Sequence, residues 1–255
     1  MTNQLEKWRN DEKALAVERQ LMKDALAQLG RGDTKTGAGR SAGRLIFGLD
    51  LTGSREHSLQ HARIATAAMF DAIRNVGAVA VKLIYYRGND ECKAGKWRTD
   101  PAIVSRFMLG LSSEAGYTQI ERMLRFVLAE EQRISGVVFV GDHCEDDPAI
   151  LCELAQAFGR RSMPLFVFHE CADHDERSLQ AKPIFKRMAE LSGGVYSEFK
   201  PDNGAVLKEL LSSVAAFSAA GAEGVEKLAF PKTPEARQVH ARLLLGSGVD
   251  PRRLR

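Results

Sequence analysis

Three short segments place hydroxyls and carboxylates where a hard cation could use them. In the first, the apolar run Leu45, Ile46, Phe47 and Leu49 delivers Asp50, and Thr52 and Ser54 follow at alternate positions around Gly53. All three side chains offer oxygen only, and ions such as Mg²⁺ take oxygen ligands, often one or two carboxylates with waters kept in the shell. On its own, D-x-T-x-S also describes an ordinary turn or helix cap. The second segment is Gly116-Tyr117-Thr118, ahead of a strongly periodic helix, and the third is Gly141-Asp142, behind the apolar run Ile134 to Val140. Taken singly, Thr118 is equally an N-cap and Asp142 a loop residue. Together Asp50, Thr52, Ser54, Thr118 and Asp142 form an oxygen-donor set from three loops.

Other polar groups have plainer readings. His143, Glu145, Asp146 and Asp147 precede Pro148 as the acidic start of a helix, although they could also tune an ion or hold a second one. His169, Glu170, Asp173, His174, Asp175 and Glu176 lack the spacing of a transition-metal site and are expected to form a solvated loop. His57 and His61 stand four apart at a helix start with no third ligand, and His57 is expected at solvent or a rim near the oxygen-donor loops. Asp50 has no D-x-D partner of the phosphoryl-transfer kind, because Thr52 stands where the second aspartate would be, and no enzyme is expected. Gly37 to Gly43 lacks the order of a P-loop, and Arg31-Gly32-Asp33 is read as a chance tripeptide.

The elements that position these groups alternate in type. Strand patterns end at Asp50 and cover Val79 to Tyr86, Ile134 to Val140, Leu165 to Phe168 and Val195 to Phe199, with Lys96 to Arg98 as a short edge strand. Helical patterns cover Leu59 to Val76, Pro101 to Leu109, a stretch from Thr118, Ala149 to Phe158, Ile184 to Leu191 and Ala205 to Ala219. This order predicts a doubly wound α/β domain over 44–220: a mostly parallel central sheet, one short antiparallel edge strand, and helices on both faces. Such sheets take ligands outside the carboxyl ends of their strands, where Asp50 and Asp142 fall. An amphipathic helical arm is expected over 1–29 (Leu5, Trp8, Leu15, Leu21, Leu26), a Gly-rich linker over 30–43, and a tail over 221–255 with a helix from Pro234 to Leu245.

Composition narrows the class. Of 255 residues, 44% are hydrophobic and 27% charged, which supplies ample core. A net charge of +3 with interspersed signs falls well short of a nucleic-acid footprint, so no nucleic-acid partner is expected. Four cysteines without C-x-x-C pairing suggest reduced thiols rather than zinc or redox chemistry. The first residues carry no apolar h-region and no run of 18 apolar residues occurs, so the expectation is a cytoplasmic protein without a membrane span.

In this order the loops resemble those of a von Willebrand factor type A (VWA) domain with its metal-ion-dependent adhesion site. The family pattern is D-x-S-x-S on the first loop, a threonine on the second and an aspartate on the third. Asp50 to Ser54 matches the first with Thr52 for the middle serine, and Gly116-Tyr117-Thr118 resembles the second. Val138-Phe139-Val140-Gly141-Asp142 resembles the third, where Gly141 and His143 depart from the more usual T-D-G. Leu191-Ser192-Gly193-Gly194-Val195-Tyr196 resembles the lead into the last strand, so the likeness spans about Arg44 to Ala220. It implies a VWA/Rossmann-like fold in which Thr52 and Ser54 ligate Mg²⁺ (or Mn²⁺ or Ca²⁺), Thr118 does so in one conformational state, and Asp50 and Asp142 act directly or through water. It also implies a coordination position left for an Asp or Glu of a protein partner. The resulting expectation is a divalent-metal-dependent protein-binding module, an adaptor or assembly factor. Its rivals are a phosphoester hydrolase with His143 as acid or base, and a scaffold with a vestigial site that acts through its N-terminal helix.

Overall fold

The structure, a computed structural model, describes residues 43–55, 69, 76–172, 174–200 and 203–245. The arm over 1–29, the linker up to residue 42, most of the helix expected over 59–76, His57, His61, Asp173 and residues 246–255 lie outside the described part.

Six strands are formed: β1 (Gly43–Asp50), β2 (Val79–Arg87), β3 (Glu91–Ala94), β4 (Gly136–Gly141), β5 (Leu165–Glu170) and β6 (Tyr196–Phe199). They make one sheet in the order β3-β2-β1-β4-β5-β6, parallel throughout except for the β2–β3 pair. This is the expected doubly wound architecture. The edge strand, however, is Glu91–Ala94 and not Lys96–Arg98. The turn at Gly88-Asn89-Asp90 is so tight that Arg87 already pairs with Glu91, and Arg98 adds only an isolated bridge to Val81.

The described helices are α1 (Pro101–Leu109), α2 (Ile120–Leu128), α3 (Pro148–Arg160), α4 (Glu176–Ser192), α5 (Gly204–Glu226) and α6 (Pro234–Leu245). α4 starts well before the expected Ile184. Asp175 Oδ1 accepts from Arg177 N (3.1 Å) and Ser178 N (3.3 Å), a cap that nucleates the helix ahead of Pro183. α5 is long and apolar enough, by composition alone, to cross a membrane, and is the one such helix among the described residues. Here its apolar positions enter the core, and its backbone breaks from helical geometry at Ala220 and Gly221. Glu209 of α5 accepts from Lys232 N, Thr233 N and Thr233 Oγ1, which anchors the start of α6.

Strand alternation divides the core in two. Leu45, Phe47 and Leu49 of β1 face Leu207, Leu210, Leu211 and Val214 of α5. Ile46, with Ile84 and Tyr86 of β2, faces Ile120, Met123 and Leu124 of α2 and Leu151 and Phe158 of α3. Full burial of such side chains contributes roughly 1.5–3 kcal/mol each. Asp50 continues the second face one step past the core, so its carboxylate is carried in by strand geometry and is only 1% exposed.

Candidate functional site

Asp50 pairs in register with Tyr86 on one side, and on the other side Leu49 lies opposite Val140, two residues before Asp142. The first and third loops therefore leave adjacent strands at the same edge. Backbone hydrogen bonds bring in the second loop: Leu51 N donates to Tyr86 O (2.9 Å), Glu114 N to Leu51 O (3.0 Å) and Gly88 N to Glu114 O (3.1 Å). Gly116 packs directly on Gly88, and a Cβ at residue 116 would fall 2.0 Å from the Gly88 carbonyl oxygen. Only glycine permits that approach. A Cβ at Gly141 would likewise meet the Phe139 ring at 2.5 Å, which accounts for the glycine at this departure from the T-D-G pattern.

On the first loop, Asp50 Oδ1 accepts from Thr52 N (2.8 Å) and Oδ2 from the Tyr86 hydroxyl (2.9 Å), while Thr52 Oγ1 lies 3.2 Å from the exposed Ser54 Oγ. Burial, and then the Asp50 carboxylate, hold the Tyr86 phenol proton far more tightly than usual, and Asp146 and Asp142 push the same way. One buried hydroxyl thus senses carboxylates from two loops. Tyr86 is absent from the sequence-derived set; its place on the Asp50 face follows from alternation, but its register does not.

The expectation that Thr118 caps the next helix is corrected. The N-cap residue of α2 is Gln119, whose side chain makes no capping bond. Asp146 makes it from another loop, accepting from Ile120 N (3.1 Å) and Glu121 N (2.9 Å) and also from Thr118 Oγ1 (2.7 Å). Glu145 completes the clasp: its N–H donates to Thr118 Oγ1 (2.8 Å) and its carboxylate accepts from Thr118 N (2.9 Å). In the acidic run before Pro148, then, only Asp147 caps α3 as expected, accepting from Ala149 N (2.8 Å). Asp146→Ala strips α2 of its cap and Thr118 of its acceptor, and should cost about 2 kcal/mol. Denaturant unfolding of the two proteins checks this, and Asp146→Asn should recover part of the loss.

Asp142 is 6% exposed, and its Oδ1 has no hydrogen-bond partner among the described residues. Its carbonyl oxygen accepts from His169 Nε2 (3.0 Å), while the Tyr196 hydroxyl lies 2.8 Å from His169 Nδ1 and Ser178 Oγ 2.9 Å from Nε2. Because Nε2 faces a carbonyl, it carries the proton of the neutral ring. Burial pushes His169 down to about 4. The solvated loop expected over 169–176 is corrected accordingly: His169 and Glu170 are the buried end of β5, and Asp175 is the α4 cap. Asp175 Oδ2 lies 2.6 Å from His143 Nε2, and His143 Nδ1 is 3.8 Å from Asp142 Oδ2. Burial opposes the ionised Asp175, but the His143 contact and the cap bonds hold its carboxyl below the usual range. Among the described residues no three His, Cys, Asp or Glu side chains form a ready cluster, so any ion here would draw on hydroxyls. Cys144, between His143 and Glu145, is a free thiol that burial pushes up to about 12.

No protein-family model matches the chain, and no curated protein matches it. Solved structures do. A von Willebrand factor type A protein from Catenulispora acidiphila superposes with TM-score 0.54 at 16% identity, covering 69% of this chain and 43% of that one. The SpRpn10 VWA domain gives TM-score 0.50 at 12% identity, covering 69% and 95%. The vWF domain of the type V pili tip protein Mfa5 from Porphyromonas gingivalis gives 0.52 at 9%, covering 69% and 96%. The chain thus corresponds to less than half of the first of these proteins and to nearly all of the two single domains. Its six-stranded sheet and flanking helices have the von Willebrand factor type A fold.

Proposed function

We propose that the three loops hold a divalent cation, and that the cation holds an acidic side chain of a protein partner. The observation that carries this reading is Asp142 Oδ1, a buried carboxylate oxygen with no hydrogen bond among the described residues, on the loop next to those that present Thr52, Ser54 and Thr118. A buried carboxyl oxygen so placed is costly unless a partner completes it. Thr118 supports the same reading. Its hydroxyl gives its proton to Asp146 and accepts from Glu145 N, so one lone pair stays free on an oxygen made more electron-rich.

Thr52, Ser54, Thr118 and Asp142 would be the ligands. Asp50, with both oxygens already accepting hydrogen bonds, would fix Thr52 and reach the ion through water. Mg²⁺ suits these oxygens, with Mn²⁺ and Ca²⁺ as further candidates. When bound, an ion with few anionic ligands supplies a positive coordination position that favours a carboxylate from outside.

The test is binding of the full chain to a peptide array in which each Asp or Glu is matched by its Asn or Gln counterpart, with Mg²⁺ and with chelator. Binding should require both the acid and the ion and should vanish in Asp50→Ala. Equal binding in chelator, or to the amide peptides, would sink the proposal.

A further inference from the structure

His143 Nδ1 and Asp142 Oδ2 face each other at 3.8 Å, too far for a hydrogen bond. The other ring nitrogen, Nε2, is 2.6 Å from the Asp175 carboxylate. A carboxylate only accepts, so Nε2 carries a proton, and Nδ1 is the ring nitrogen turned toward Asp142. An ion about 2.1 Å from each of Nδ1 and Oδ2 fits the 3.8 Å gap between them.

Two further observations point to the same place. The Asp142 side chain is 9% exposed, and its Oδ1 has no hydrogen-bond partner among the described residues. Asp175 is also rigidly placed, because its Oδ1 caps α4 through Arg177 N and Ser178 N while Oδ2 meets His143. An imidazole whose far nitrogen is held by a fixed carboxylate is how proteins commonly orient a metal-binding histidine and raise its basicity.

We propose that His143 Nδ1 and Asp142 ligate the same divalent ion, so that this site favours a transition ion over Mg²⁺. The inference rests on the reading of the three loops as a metal site and adds a nitrogen ligand to it. Imidazole suits d-block ions, whereas carboxylates, hydroxyls and water suit Mg²⁺.

Calorimetric titration of the full chain with Co²⁺ and with Mg²⁺ tests it, together with the visible absorption of the Co²⁺ form. Wild type should bind Co²⁺ at least about thirtyfold more tightly than Mg²⁺. In His143→Gln the amide can still donate to Asp175 but supplies no ring nitrogen. Co²⁺ affinity should fall about tenfold or more, Mg²⁺ affinity should stay within about twofold, and the Co²⁺ absorption band should shift. Asp175→Asn keeps the helix cap, since asparagine caps as well as aspartate. Its amide N–H would face His143 Nε2 and move the ring proton to Nδ1, so Co²⁺ affinity should fall about 10–100-fold. An unchanged Co²⁺ to Mg²⁺ ratio in both variants, with binding lost in Asp142→Ala, would overturn the nitrogen ligand and leave the oxygen site standing. Ions bound no better by wild type than by Asp142→Ala would overturn both.

Discussion

Asp142→Asn is expected to raise the melting temperature of the chelator-treated protein and to abolish its further rise with Mg²⁺ or Mn²⁺. The two effects have opposite sign, and that opposition is the diagnostic. Asp142 Oδ1 is buried without a hydrogen-bond partner among the described residues, and His143 Nδ1 lies 3.8 Å from Oδ2. Asparagine has the same shape without the charge, and its amide can turn an N–H toward His143 Nδ1, which the carboxylate cannot do. Relief of about 1 kcal/mol corresponds to roughly 2–4 °C for a domain of this size. With ion at a hundred times its Kd, wild type gains about 2.7 kcal/mol and the variant gains none. Melts followed by circular dichroism, with chelator and with excess ion, read both effects. If the asparagine variant melts lower in chelator, the Asp142 carboxylate is already satisfied by the protein and the loops need no ion.

The parts of this site that were legible in the sequence are those whose chemistry is local. Asp50, Thr52 and Ser54 sit within five residues behind an apolar strand, and Gly116-Tyr117-Thr118 and Gly141-Asp142 are equally compact. The buried strands were legible for the same reason, since near-continuous apolar runs need no partner to be recognised. What the sequence withheld are pairings across the chain. Tyr86 reaches Asp50 over 36 residues, Asp146 caps α2 over 26, and His143 meets Asp175 over 32. No spacing rule encodes such contacts, because they depend on which strands become neighbours. The misplaced edge strand has a different cause. In Glu91–Ala94 only Cys92 is buried, so hydrophobic pattern is nearly absent and the tight turn alone sets the pairing. The polar stretch from His169 misled because a histidine at a strand end looks solvated until Tyr196 and Ser178, from other elements, enclose it.

That enclosed histidine gives the second large effect, an acid-labile step that His169→Gln should remove. The unfolded imidazole titrates near 6.5 and the folded one at about 4. Burial is the chief cause, and it prevails over the Asp142 carbonyl and the nearby Glu198 and Asp142 charges, which favour the protonated ring. As pH falls below 6.5 the unfolded chain takes up a proton that the folded chain refuses, so stability declines until about pH 4, where both accept it. The full loss is about 3 kcal/mol, and none of it is felt above pH 6.5. Carboxylates held below their usual range, such as Glu91 at about 2, lose their contribution as pH falls from the ordinary carboxylate range toward that value, so they mostly act below this window. His240, which burial also lowers, acts in the same direction as His169 but is present in both proteins and drops out of their difference. Glutamine can keep a donor on the Asp142 carbonyl, so the neutral-pH cost should be only about 1 kcal/mol. Urea unfolding with chelator across this range should show the two stability curves approaching and then crossing as pH falls toward 4. Parallel curves would mean that His169 accepts its proton in the folded state. In that case burial would not hold the ring neutral, and the Asp142 loop would rest on a charged imidazole.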